Sequence, residues 1–166
     1  MKKVVKLTIL LAMAICWMTM IFQLSSMTAQ DSGRKGRELL SNFIEDALDF
    51  TNDLGYTDIN PRPEQINQVT DLLHLPVRKF VHATVYLVLA MFVISIVANI
   101  MNHNHYFGAL FITLAICVGF AILDEFHQTF VPGRAGAAID VMVDMIGVAA
   151  GMIIVFLICI MRKELK

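Results

Sequence analysis

Residues 124–144 read Asp-Glu-Phe-His-Gln-Thr-Phe-Val-Pro-Gly-Arg-Ala-Gly-Ala-Ala-Ile-Asp-Val-Met-Val-Asp, four carboxylates, one histidine and one arginine in a single stretch. Residues 80–123 before it contain no Asp, Glu, Lys or Arg, and neither do residues 145–161 after Asp144. Ionisable groups at the edge of such long apolar runs are costly to bury, so they pair, face inward and mark candidate sites. Histidine beside a carboxylate is the usual acid/base pair, and His82 and His127 are the groups here whose charge changes most readily near neutral pH. Asp124, Asp140 and Asp144 could orient such a histidine. The catalytic candidates are therefore His82, Asp124, His127, Asp140 and Asp144. Arg134, in Pro132-Gly133-Arg134, sits on a tight turn from which a guanidinium could clamp a phosphate with two hydrogen bonds. Arg78 and Lys79 add cations, and Glu125 and Gln128 complete the binding candidates. Asp124, His127, Asp140 and Asp144 could together hold a divalent metal, but Asp-x-x-His with Asp-x-x-x-Asp is not a diagnostic spacing, and the metal, if any, stays unknown. Ion pairs that only staple helices together are the plain alternative.

The elements that must position these groups follow from hydropathy. A bilayer span takes about 20 apolar residues. With 57% hydrophobic and 16% charged residues, the chain has the composition of a membrane protein. Residues 7–24 make one span, and the run 80–123 is long enough for two, broken by Asn99-Ile-Met-Asn-His-Asn-His105 into a hairpin (about 80–99 and 105–124). Residues 139–161 make the last. The fold class is all-α, with four transmembrane helices in a single domain over 1–166. The first run has the basic start of a signal peptide. It is long for one, and Met27 stands where a cleavage site wants a small residue, so its retention as a helix is expected.

Lys2, Lys3 and Lys6 precede the first span, and Arg162, Lys163 and Lys166 follow the last. An even number of spans with basic ends places both termini in the cytoplasm. The polar ends of all four spans then meet at the outer interface: Gln23, Ser25 and Ser26; Arg78, Lys79 and His82; Asp124, Glu125 and His127; Asp140 and Asp144. Helical neighbours lie three and four residues apart. Asp140, Asp144, Gly147 and Gly151 thus share one face, and the small-xxx-small pair brings that face against a neighbouring helix. Lys79, His82 and Tyr86 share another stripe, and Asp124, His127 and Gln128 a third. Glu125, about a quarter-turn from Asp124, faces water on the plainest reading.

Residues 25–77 are too short and too poor in aromatic residues for a second globular domain. Leu39, Leu40, Phe43, Ile44, Ala47 and Leu48 repeat at helical spacing over 38–50, with Glu45, Asp46 and Asp49 opposite. Pro61-Arg-Pro63 opens a second segment that Pro76 is expected to end before the second span. The pair reads as an amphipathic hairpin on the outer surface, or as a cap over the polar site. His74, His103 and His105 read as solvated residues. Cys16, Cys117 and Cys159 show neither pairing nor metal spacing and read as small packing residues. No basic stripe points to nucleic acid.

The chain resembles the VanZ-like family of bacterial membrane proteins. Arg78-Lys79-Phe80-Val81-His82-Ala83-Thr84-Val85-Tyr86 is similar to the family's Arg-Lys-x-x-His-x-x-x-Tyr. Asp124-Glu125-Phe126-His127-Gln128-Thr129-Phe130-Val131-Pro132-Gly133-Arg134 follows its turn motif, and Asp140, Asp144 and Gly147 follow its Asp-x-x-x-Asp/Asn-x-x-Gly. Phe22-Gln23-Leu24-Ser25-Ser26 matches the family's first-span ending loosely, with the glutamine ahead of the serines. The resemblance implies a multi-pass protein of the bacterial cytoplasmic membrane, linked to the cell envelope and to resistance to the glycopeptide teicoplanin. It supplies no reaction and no oligomeric state. An outward-facing polar site would be in the right place to act on, or merely bind, a lipid-linked envelope component or the glycopeptide. A transporter is the weakest reading, because the polar groups cluster at one end rather than along a path.

Overall fold

The computed structural model describes residues 2–56, 59–101 and 106–164. It contains α1 (Lys2–Ser25), α2 (Ala29–Asp53), α3 (Pro63–Ile100), α4 (Tyr106–Gln128) and α5 (Ala138–Glu164), with no strand among the described residues. Four of these helices, α1, α3, α4 and α5, are long and apolar enough to cross a bilayer. Most of their large apolar side chains point outward, as for Ile15, Phe111, Ile146 and Phe156. In water that surface would be unstable; in lipid it is the contact face. His103 and His105 lie outside the described residues.

Helix α3 is the hub: it touches every other helix, α5 most extensively. Tyr86, Leu89 and Val93 of α3 pack with Ile21 of α1, Cys117 and Ala121 of α4 and Val148 of α5. The Trp17 indole N–H donates to the Val85 carbonyl at 2.9 Å, pinning α1 to α3. Gly147 and Gly151 explain the closeness of α3 and α5. A Cβ at Gly147 would fall on the Ala83 carbonyl oxygen, and one at Gly151 on the carbonyl of Leu87. Only glycine lets two backbones approach so far.

Three local expectations need correction. The first outer helix does not begin at residue 38: α2 starts at Ala29, where the Thr28 hydroxyl caps it by accepting from the Asp31 N–H at 3.1 Å. Gly36 within it serves packing; a Cβ there would sit 3.2 Å from His74 Nε2. Pro76 does not end a helix either, for α3 runs from Pro63 to Ile100 through it. A proline removes one backbone hydrogen bond, and the packing of α3 against four partners outweighs that local loss. Of the cysteines, only Cys117 packs inside; Cys16 and Cys159 are exposed on the bundle surface, toward lipid.

Candidate functional site at the polar end of the bundle

The end of α1, the middle of α3, the end of α4 and the start of α5 converge at one end of the bundle. Asp124 is buried at the last turn of α4, 2% exposed. Its Oδ2 accepts from Ser25 Oγ at 2.8 Å and from Gln128 Nε2 at 3.2 Å. The Gln128 side-chain oxygen in turn accepts from Arg134 Nη1 at 3.0 Å. A continuous chain therefore runs Arg134–Gln128–Asp124–Ser25, tying the turn, α4 and α1 together. Each link is stronger for the charge at one of its ends.

The turn itself is built to deliver Arg134. Gly133 has φ +76°, a left-handed conformation that glycine adopts without strain, and Arg134 N–H closes the turn on the Val131 carbonyl at 3.1 Å. Pro132 accepts from Ala29 N–H at 3.4 Å, so the turn also docks on the start of α2. Arg134 Nε is buried with no hydrogen-bond partner among the described residues. Burial first, and then the neighbouring charge of Arg78, hold the Arg134 guanidinium below its ordinary value. Two guanidinium groups thus feel each other across this end of the protein.

Asp144, 1% exposed, lies on the face of α5 that Gly147 presses against α3. Neither of its oxygens has a hydrogen-bond partner among the described residues. His82 Nδ1 lies 3.9 Å from its Oδ1, beyond a hydrogen bond and an ion pair only when the imidazole is protonated. The Tyr86 hydroxyl and Asp124 Oδ1 are also buried without a hydrogen-bond partner among the described residues. Buried polar atoms left in this state are uncommon and call for an explanation such as a ligand, a water or a catalytic task. One turn earlier on α5, Asp140 pairs with Lys79 at 3.4 Å, with both side chains partly exposed.

Glu125 does not face water. It is buried, and its Oε2 accepts the Ala137 N–H at 3.0 Å. The carboxylate thus caps the unpaired amides at the start of α5, where a negative charge also suits the helix dipole. A quarter-turn rotation on α4 points outward only if nothing folds back over it, and residues 129–137 do. His74 is likewise half-buried, against Gly36 of α2, rather than solvated.

A cavity of about 280 Å³ opens at this end, lined by Arg78, Lys79, His82, Glu125, Gln128 and Asp140 among others. His82, Asp124, Asp140, Asp144, Arg78, Lys79, Glu125, Gln128 and Arg134 thus lie in or directly around one region. His127 does not join them. Its ring packs on Phe22 with centroids 4.1 Å apart, and its Nδ1 has no partner among the described residues. Sharing a helical stripe with Asp124 was not enough, because α1 occupies the space between. Nor does the metal-ligand set Asp124, His127, Asp140 and Asp144 come together: among the described residues no three His, Cys, Asp or Glu side chains gather closely enough to hold an ion. Ser25 was legible only as a polar helix end. Its bond to Asp124 spans 99 positions, and no local signal reports it.

The fold and this polar end define a four-span integral membrane protein with charged groups converging at one end of the bundle. The chain belongs to the VanZ/LLP1 family, whose model matches residues 10–160. Neither the curated proteins nor the solved structures contain a match to it.

Proposed function

We propose that this VanZ-family protein sits in the bacterial cytoplasmic membrane with both termini inside, and that its polar end faces outward to bind a lipid-linked, phosphate-bearing envelope component. The orientation is supported by Lys2, Lys3 and Lys6 at one terminus and Arg162, Lys163 and Lys166 at the other. The observation that carries the binding reading is the placing of Arg78 and Lys79 on one cavity lining, with the Arg134 guanidinium nearby and its Nε without an acceptor among the described residues. Cations held around a partly enclosed cavity suit an anion, and the guanidinium groups suit a phosphate in particular. The family name links such proteins to teicoplanin, a lipid-bearing glycopeptide that acts at the outer leaflet, so susceptibility to it is the natural phenotype.

A second reading, that the site also performs acid/base chemistry, is favoured by one observation: His82 beside the buried, unpartnered Asp144. In that reading His82 would exchange a proton with the bound component, and Asp144 would stabilise the imidazolium. Asp124 and Gln128 would hold Arg134 in place.

Teicoplanin susceptibility across variants, with membrane expression confirmed for each, separates these readings. Arg78→Gln or Arg134→Ala abolishes the phenotype if binding is the function. His82→Gln, which keeps hydrogen bonding but removes the titration, leaves the phenotype intact under binding alone and removes it under acid/base chemistry. If Gly147→Leu abolishes the phenotype while none of the three polar changes matters, the cluster is architectural and both readings fail.

A further inference from the structure

A second cavity, of about 450 Å³, lies between α2 and α3. Its volume is in the range of small-ligand pockets, roughly 300–1,000 Å³. One wall is the apolar stripe of α2 at Leu39, Leu40 and Phe43, and the other is Val77 and Val81 of α3. Leu39 and Phe43 line the groove and are still 71% and 69% exposed, so it opens at the protein surface. Arg78, His82 and Arg134, with His74, also line it. No carboxylate lines it, whereas the first cavity includes Glu125 and Asp140. The two cavities share Arg78 and His82 and are therefore neighbours across those side chains.

The lining thus combines apolar side chains of both helices with the Arg78 and Arg134 guanidinium groups. Among the described residues neither Arg78 nor Arg134 has a carboxylate within ion-pair distance; the ion pairs there use Arg34, Arg37, Lys79 and His82. Arg134 Nε also lacks an acceptor. An amphiphile with an anionic head satisfies both halves at once. A zwitterionic head would bring a cation to a groove that has nothing to meet it. A docked peptide would need partners for its backbone, and beside the histidines and arginines Ser32 is the one polar side chain in the lining.

We propose that the groove between α2 and α3 is the chain-binding half of the site: it holds the alkyl chain of a lipid phosphate along Leu40, Phe43, Val77 and Val81, with the phosphate on Arg78 and Arg134. This rests on the binding reading above and names its ligand class. Helix α2 is then the element that covers the chain. The close approach of Gly36 to His74, one turn before Arg78, holds α2 against α3.

The test uses the full-length protein in nanodiscs of phosphatidylcholine, with a dodecyl phosphate that carries a photoactivatable diazirine at the chain end. Labelled peptides are mapped by mass spectrometry. Labelling is expected at residues 39–43, away from the phosphate on Arg78. Dodecyl phosphate should compete for it, while dodecanol and inorganic phosphate should not. Replacing Phe43 with Asp should weaken dodecyl phosphate binding by about tenfold or more and leave butyl phosphate binding unchanged. Arg78→Gln should weaken both. Label spread evenly over the lipid-facing helices, or displaced equally by dodecanol, would mean annular contact only and would overturn the groove. If butyl phosphate still binds in an Arg78-dependent way under that outcome, the anion site stands and only the chain site falls. If no phosphate binds at all, both fall. The map on the unmodified protein keeps the test decisive even where a variant fails to fold.

Discussion

The close approach of α3 and α5 is open to a direct test at Gly147. In Gly147→Ala the new methyl meets the Ala83 carbonyl, a backbone atom that cannot turn aside as a side chain could. Overpacking of this kind costs about 1–3 kcal/mol. The substitution also regains the helix preference of alanine over glycine, about 0.8–1.0 kcal/mol. Because the obstacle is backbone, the cost belongs in the upper part of its range, leaving a net loss of about 1–2 kcal/mol. Gly119 in α4 supplies the control, since a Cβ there meets nothing within 4 Å. Gly119→Ala should be neutral or stabilising by up to about 1 kcal/mol. The assay is reversible unfolding of the purified protein in mixed micelles, followed by helical circular dichroism across an SDS titration. Equal midpoints for the two variants would refute the contact. A midpoint for Gly147→Ala above that of the parent would show that α3 and α5 are not packed backbone to backbone at all. The consequence reaches the site, because His82 precedes Ala83 and Asp144 lies one turn before Gly147. Helices forced apart there also lengthen the 3.9 Å His82–Asp144 approach.

Three other outcomes are expected. Ser25→Ala removes one of the two donors to the buried Asp124 and should cost about 1.5–3 kcal/mol in the same titration; a loss of about 0.5 kcal/mol or less, as for an ordinary surface change, would mean that the bond carries nothing. Lys79→Ala breaks a partly exposed pair with Asp140 and should cost less than about 1 kcal/mol; a loss of about 3 kcal/mol or more would mark the pair as buried. With Cys16, Cys117 and Cys159 replaced, a cysteine at the exposed Phe130 should react with a membrane-impermeant maleimide in intact cells; reaction only after lysis would reverse the proposed orientation.

Much of this protein is written in local sums. Four apolar runs, each long enough to span, are visible residue by residue, and helices α1, α3, α4 and α5 lie where those sums are largest. The face shared by Asp140, Asp144, Gly147 and Gly151 is also local, because helical geometry alone aligns them. That it faces another helix follows from the absence of side chains at its two glycines. The tertiary structure decided which groups meet across helices. Ser25 reaches Asp124 over 99 positions, Glu125 is buried because the turn folds back to offer Ala137, and His127 is diverted onto Phe22. It also decided that α3 continues through Pro76, where packing overrides a strong local signal. The reason is the same in each case. Hydropathy and periodicity report what a residue prefers relative to lipid and to its own helix. The partner of a buried polar atom is chosen by the crossing and closeness of several helices together, and no window of sequence contains that information.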